Sequence, residues 1–418
     1  MQLQFYNTLS RKKAPFTPIN ADNVGLYSCG PTVYGRAHLG NMRAYLFADL
    51  LKRVLELAGY QVNHVMNITD VGHLTNDSDD GDDKLALGAK REQTTAWELA
   101  KRYEALFFAD ATALNIHRPT IVCRATDHIE AQINMIKTLE DKGYTYQSTD
   151  GVYFDSVQFP HYGELAHLDL EGLRGGERVE LGGKKNKTDF ALWKFSPADE
   201  QRDMEWDSPW GKGFPGWHIE CSAMAHHYLG NHFDIHTGGT DHIPIHHTNE
   251  IAQSECALSQ RPTVNTWMHC QFLVFPSGER VAKSSGHDLS IDGLIARGID
   301  PLAYRYLCLT AHYRNFLNYT EEAIDGAAIS LKRLRQHCQD LGYHQPASPD
   351  HRDETMLARY PDIFTALFDD LNSAKALALF WEQLKATSQH SDILGLIGVM
   401  DNVLGLSLSQ AAAVRPQA

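Results

Sequence analysis

The chain predicts an α/β protein: a parallel, ligand-binding sheet split by an insertion, followed by an all-helical C-terminal region. Three observations predict it. Val24 and Leu26 form a short apolar run, residues 27–43 (YSCGPTVYGRAHLGNMR) a glycine-rich turn, and Ala44, Leu46, Phe47, Leu50, Leu51, Val54 and Leu55 a helical stripe, with Tyr60–Ile68 alternating behind it. Residues 116–200 then change character, with a helix over 128–142, alternating pieces at 144–147 and 152–154, and a Gly/Arg/Glu/Lys-rich stretch at 171–188. From Ser290 onward helical spacing dominates, over 290–297, 301–312, 320–340, 353–370, 373–387 and 391–404.

Taken in order, residues 1–22 read as a short strand and a polar lead-in. The first helix stops at Ala58-Gly59, a C-terminal signal. The strand after it completes a right-handed strand–helix–strand unit and leaves Thr69-Asp70 at its carboxyl end. The acidic run 76–84 (NDSDDGDDK) reads as a solvated loop, since it lacks the glycine and terminal glutamate spacing of a calcium loop. One helix is predicted over 85–115. Ala191–Phe195 and Trp193, Trp206, Trp210 and Trp217 lead back to the main sheet. A helix starts within 216–227, a strand covers 232–236, a helix covers 246–258 and a strand covers 268–275. A polar loop follows at 277–286, and the last residues, SLSQAAAVRPQA, read as a flexible tail.

Composition narrows the function classes. A length of 418 residues predicts two to three domains. No apolar run reaches the length of a membrane span, and MQLQFYNTLSRKK lacks the apolar core of a signal peptide. Seven scattered cysteines, an odd number, indicate a reducing compartment, so the cytoplasm is expected. The net charge of −14 argues against a non-specific nucleic-acid binder. Local basic surface at 184–187 or 332–335 still suits a structured RNA, though solvated charge accounts equally well for each run.

The chemistry-bearing residues cluster at predicted strand ends. There, backbone N–H groups and a helix N-terminus converge on one point, which suits phosphate. His38 and Asn41, at the helix start, can donate to it, with Gly30 and Gly40 allowing close approach. Gly238, Gly239 and Asp241 follow another strand; the glycines admit a nucleotide and the carboxylate can accept ribose hydroxyls. Lys283 and Ser284 lie on the polar loop, where a lysine supplies fixed positive charge for phosphates. Cys29, Cys221, His246 and Glu250 are residue types that close a tetrahedral zinc site, and the last two are one helical turn apart. With 22 histidines present, spacing alone does not select this set.

The motifs carry a resemblance. HLGN (38–41) resembles the HIGH signature of class I aminoacyl-tRNA synthetases, with Asn41 for the second histidine, and RVAKS (280–284) resembles their KMSKS loop. CGPTVY, GWHIECSAM, HFDIHTGGTDH and HHTNEIAQSECA resemble the blocks of cysteinyl-tRNA synthetases, as do KKNKTDFALWK, HYRNFLNYTEE and DDLNSAKALALFWE further on. The resemblance implies a Rossmann-like class I nucleotide-binding domain with a connective insertion, a stem-contact region and a helical bundle. It implies one Zn2+ on Cys29, Cys221, His246 and Glu250, and a cysteine pocket formed with Gly30, Thr69, Trp217 and His236. His247 and the pair His226-His227 are expected to be bystanders. His38, Asn41 and Lys283 are the expected catalytic residues, acting on ATP with Mg2+. Zinc would discriminate cysteine from serine by binding a thiolate that a hydroxyl cannot imitate.

The implied organisation is 1–118 first catalytic half, 119–200 connective insertion, 201–275 second catalytic half, 276–325 stem-contact region, 326–406 helical bundle and 407–418 flexible tail. Relatives usually continue beyond the position matching Leu406 into a segment that completes anticodon reading, so this chain reads as a short form. The expected partners are L-cysteine, ATP and tRNA(Cys), with a monomeric chain and no membrane. The alternative acceptor is a small amine, as in the mycothiol-pathway cysteine ligase, which also resembles the synthetases.

Overall fold

The computed structural model describes residues 1–73, 83–168, 183–197, 202–281, 289–345, 353–386 and 390–410. The lead-in is a hairpin of β1 (Gln4–Asn7) and β2 (Lys12–Pro15). β3 (Asn23–Ser28), α1 (Leu39–Leu57) and β4 (Gln61–Ile68) follow, as the periodicity predicts. The single helix expected over 85–115 is two, α2 (Lys84–Glu92) and α3 (Ala96–Ala113). Gln93 turns left-handed (φ 53°) to end the first, and Thr95 caps the second through reciprocal bonds with Glu98. Most of the acidic run 76–84 lies outside the described residues; its Asp83 caps α2.

β5 (Ile121–Arg124) comes next, inside the span read as insertion, yet it pairs in parallel with β4 in the central sheet. α4 (Ile129–Asp141) precedes an antiparallel sheet of β6 (Thr145–Gln147), β7 (Gly151–Phe154), β8 (Phe190–Phe195) and β9 (Gly213–Pro215). Trp193 and its strand therefore complete the inserted sheet instead of leading out of it. Trp193 is fully buried there.

α5 (Trp217–Leu229), β10 (Phe233–Gly239), α6 (His246–Leu258) and β11 (Val264–Cys270) complete the central sheet. Its order is β11-β10-β3-β4-β5, all parallel. The strand expected over 268–275 ends at Cys270; β12 (Leu273–Val274) pairs instead with β13 (Leu317–Asn318). From β3 the chain builds outward through β4 to β5, and from β10 it builds the other way to β11. The order reverses between β3 and β10, which places a crevice at their carboxyl ends. Leu46, Leu50 and Val54 of α1 pack one face of the sheet, in one core with the C-terminal helices. Ile136 of α4, Ile219 of α5 and Ile251 of α6 pack the other.

Among the described residues the remaining helices are α7 (Ile291–Ala296), α8 (Pro301–Leu309), α9 (Glu321–Asp340), α10 (Glu354–Arg359), α11 (Pro361–Phe368), α12 (Ser373–Ala386) and α13 (His390–Leu404). The helix expected over 353–370 breaks at Tyr360-Pro361, where proline starts a new helix. The tail expectation gives way over its first residues: Leu408 is fully buried and its N–H donates to Asp401. Arg335, one of the basic candidates, is buried, bonding Asp300 and the Leu406 carbonyl. Among the described residues no helix is long and apolar enough to cross a membrane.

A buried arginine staples these helices to the sheet domain. Arg305 of α8 donates to Asp49 of α1 at 2.6 Å, to Leu404 O at 2.6 Å, and to Leu114 O and Asn115 O at 3.0 Å each. Burial opposes the charge on Asp49, but Arg53 and Arg305 outweigh it and hold the carboxyl well below the usual carboxylate range. Arg305→Met strands these acceptors, so urea unfolding should show a loss of about 3–5 kcal/mol. A loss under about 1 kcal/mol would mean that Arg53 alone holds the junction.

Candidate metal centre and nucleotide cleft

A cleft of about 560 Å³ opens where β3, β4 and β10 end, with Cys29, His38, Thr69, Trp217 and Asp241 in its wall. The register brings them there: Ser28 lies beside Met66 on one side and Thr237 on the other. Close backbone approach requires glycine at two points. A Cβ on Gly30 would overlap the Asn67 carbonyl, and one on Gly238 would come within 2.7 Å of both the His242 and His247 rings.

HLGN forms the cap of α1. Asn41 N–H donates to His38 Nδ1 at 3.3 Å, and His38 N–H donates to Asn41 Oδ1 at 3.2 Å. With Nδ1 accepting, the ring proton of His38 belongs on Nε2; the amide nitrogen of Asn41 is its remaining donor end. The turn is tied down on both sides: Leu39 N–H donates to Leu289 O at 2.7 Å, and Tyr304 Oη donates to Leu39 O at 2.6 Å. Val281 and Leu289, which flank residues 282–288, are buried beside it. Lys283 and Ser284 lie outside the described residues. Arg280 binds Asp241 Oδ2 at 3.0 Å and lies 3.7 Å above the Phe272 ring. Asp241, expected as a ribose acceptor, thus has Oδ2 held by Arg280; burial raises its pKa, but His242 and Arg280 together bring it below the usual value.

The four expected ligands do meet. Cys29 Sγ, Cys221 Sγ, a His246 ring nitrogen and a Glu250 oxygen all lie within 4.8 Å of one another, and all four residues are buried. Cys29 follows β3, Cys221 sits one turn into α5, and His246 and Glu250 share a face of α6. Glu250 Oε1 lies 3.0 Å from His246 Nε2, and Oε2 lies 2.9 Å from His236 Nε2. Burial disfavours the Glu250 charge, but His236 and His246 outweigh it and lower its pKa. Burial and then Cys221 push the Cys29 thiol well up, whereas the hydrogen bond from Cys29 lowers Cys221. Burial disfavours a charged His246, yet Glu250 and Cys221 raise it to about 10. Two soft thiols, an imidazole and a carboxylate in one buried cluster are the donor set of a closed tetrahedral cation site, and the residues fit a metal ion.

His247, expected to be a bystander, has Nε2 3.3 Å from Cys29 Sγ and donates or accepts at 2.7 Å with His269. With Cys29, His236 and Glu250 it forms a second group with metal-ligand spacing. His236, expected against substrate, stands behind Glu250 and stacks on Trp267 (4.6 Å between ring centroids). Trp217 lies on His246 with centroids 4.5 Å apart and faces the cleft. The polar groups behind Thr69, namely Asn67, Glu220 and His73, escaped the sequence reading. An asparagine inside an apolar strand and a glutamate inside a helix carry no local signal of a shared pocket.

The comparisons agree with this geometry. The sheet order, the capped HLGN turn and the cleft between β3 and β10 are those expected of a class I aminoacyl-tRNA synthetase. A structure of methionyl-tRNA synthetase from Mycobacterium tuberculosis in complex with methionyl-adenylate superposes with a TM-score of 0.62, covering 92% of this chain and 90% of that one, at 16% identity. That likeness bears on fold alone. Residues 15–329 match the family model of the tRNA synthetases class I (C) catalytic domain. Cysteine--tRNA ligase 1 of Burkholderia lata is 52% identical over 98% of this chain and 85% of that protein. The cysteine--tRNA ligase of Treponema denticola is 42% identical over 98% and 87%. The chain belongs to the cysteine--tRNA ligase family.

Metal loading should displace protons. Burial holds the Cys29 thiol well above its usual range and Glu250 and Cys221 raise His246 to about 10, so both should carry protons at pH 7 in the metal-free protein. Zinc titration in buffers of different ionisation enthalpy should therefore show protons leaving from both, and affinity should rise with pH up to that range. Cys221→Ser should leave the purified protein with zinc well below one per chain; full occupancy would remove Cys221 from the ligand set.

Proposed function

We propose that the chain is a cysteine--tRNA ligase, which activates L-cysteine with ATP and Mg2+ and transfers it to the 3′-terminal adenosine of tRNA(Cys). The observation that carries this reading is the buried Cys29–Cys221–His246–Glu250 cluster opening beside the His38–Asn41 turn. These four residues would hold one Zn2+, which supplies thiolate affinity and so selects cysteine over serine.

In activation, the cysteine carboxylate attacks the α-phosphorus, an O–P bond forms, and the bond to pyrophosphate breaks. His38 Nε2–H and the Asn41 amide donate toward the phosphates at the N-terminus of α1, where the helix dipole also favours negative charge. Lys283 adds positive charge for the phosphates in this reading. Gly238 and Gly239 let the nucleoside approach the backbone, and Asp241, steadied by Arg280, faces its ribose. Trp217 closes the amino-acid side of the cleft. In transfer, a ribose hydroxyl of the tRNA attacks the activated carbonyl and AMP leaves. A cytoplasmic, monomeric enzyme goes with this reading, and the seven cysteines, all free thiols, support a reducing compartment.

Cysteine-dependent exchange of pyrophosphate into ATP should occur, should not be supported by serine, and should vanish on chelation. His38→Ala should lower its kcat by about 10²–10³-fold with zinc content unchanged, since one charge-stabilising donor is lost. Labelled cysteine with ATP and total tRNA should give acid-precipitable label. Exchange without such label would redirect the activated cysteine to another acceptor.

A further inference from the structure

Behind the cleft wall runs a chain of buried polar groups that binds neither the metal nor the phosphates. Gly30 N–H donates to Asn67 Oδ1 at 2.8 Å, and Asn67 Nδ2 donates to Thr69 Oγ1 at 3.1 Å. The Thr69 hydroxyl donates to Glu220 Oε2 at 3.0 Å, and Glu220 Oε1 lies 2.6 Å from His73 Nε2. Glu220 is fully buried, Asn67 and Thr69 are 1% exposed and His73 is 8% exposed. Asn67, Thr69 and His73 reach the cleft; Glu220 stands behind them.

The direction of these bonds sets what Thr69 can do. Its only proton goes to Glu220, and one of its two lone pairs takes the Asn67 amide. One lone pair remains, so toward a ligand in the cleft Thr69 is an acceptor. The chain also flanks both thiols: Gly30 follows Cys29, and Glu220 precedes Cys221. An amino acid whose sulfur sits at the two cysteines has one group that only donates, its α-ammonium. A lone-pair oxygen backed by a buried carboxylate is the matching partner.

We infer that His73 and Glu220 are positioning residues that hold Thr69 as the acceptor for the substrate's α-ammonium group. His73 pins one carboxylate oxygen so that the other faces Thr69. The cleft thereby selects an amino acid over a thiol acid lacking the amine, because the amine-free ligand leaves the acceptor unpaired. The inference rests on the cysteine-activating reading.

The test titrates zinc-loaded wild type, Glu220→Gln, His73→Leu and His73→Gln with cysteine and with 3-mercaptopropionate, which keeps thiol and carboxylate but has no amine. Calorimetry reads affinity, and metal content is assayed alongside. Wild type should prefer cysteine by about tenfold or more. Glu220→Gln and His73→Leu should narrow the preference to about threefold or less by weakening cysteine, with zinc retained. His73→Gln, which keeps a donor, should restore much of it. An unchanged preference in both variants overturns the inference, as does equal weakening of both ligands, which marks a structural role. Should Glu220→Gln lose zinc, His73→Leu decides alone. Wild type that binds neither thiol overturns the cysteine reading itself, a result distinct from wild-type binding with undiminished preference in the variants.

Discussion

The parallel pairing of β3 between β4 and β10 is the constraint on which the rest of the molecule depends. Its ladder runs on past the strand: Cys29 N–H donates to Thr237 O at 3.1 Å, and Thr32 bridges Thr69. That continuation sets Cys29 beside β10 and Gly30 against Asn67. A one-residue slip of β3 would turn Cys29 and Tyr27 to the opposite face. The α5 and α6 ligands would then meet Ser28 or Gly30 in place of the Cys29 thiol.

Around that strand the protein gathers groups that are costly to bury singly. Cys29, Cys221, His246, Glu250, His236 and His247 are all buried at one place along the cleft wall. Each makes sense only through another: the imidazoles offset the Glu250 charge, and burial with the bond to Cys221 raises Cys29 while that same bond lowers Cys221. Such a cluster is poised for a cation, which replaces protons on donors already in place. The backing layer of His236 and His247, with Trp267 and His269 behind, limits how far Glu250 and Cys29 can turn.

The helical region is joined to this centre by short links. Tyr304 and Leu289 hold the HLGN turn, and Arg43 of α1 donates to the carbonyls of Gln271, Phe272 and Asn315. Arg305 anchors the end of α13 against Asp49. A rearrangement of the helices is therefore felt at the start of α1, where His38 and Asn41 present their donors.

The sequence by itself determined the strand–turn–helix–strand unit, because amphipathic period and glycine punctuation act locally. It also determined the residue types of the site, and the motif resemblance selected one of 22 histidines and two of seven cysteines as candidate ligands, with Glu250 beside them. Only the tertiary structure decided what depends on distant pairing. It placed β5 in the main sheet and the Trp193 strand in the inserted one, since a strand's partner is chosen by packing and not by its own alternation. It brought His247 to Cys29, moved His236 behind Glu250, and threaded Asn67, Thr69, Glu220 and His73 into one chain. Hydrogen bonds between residues up to 218 positions apart leave no trace in local composition, because each partner alone looks like an ordinary polar residue.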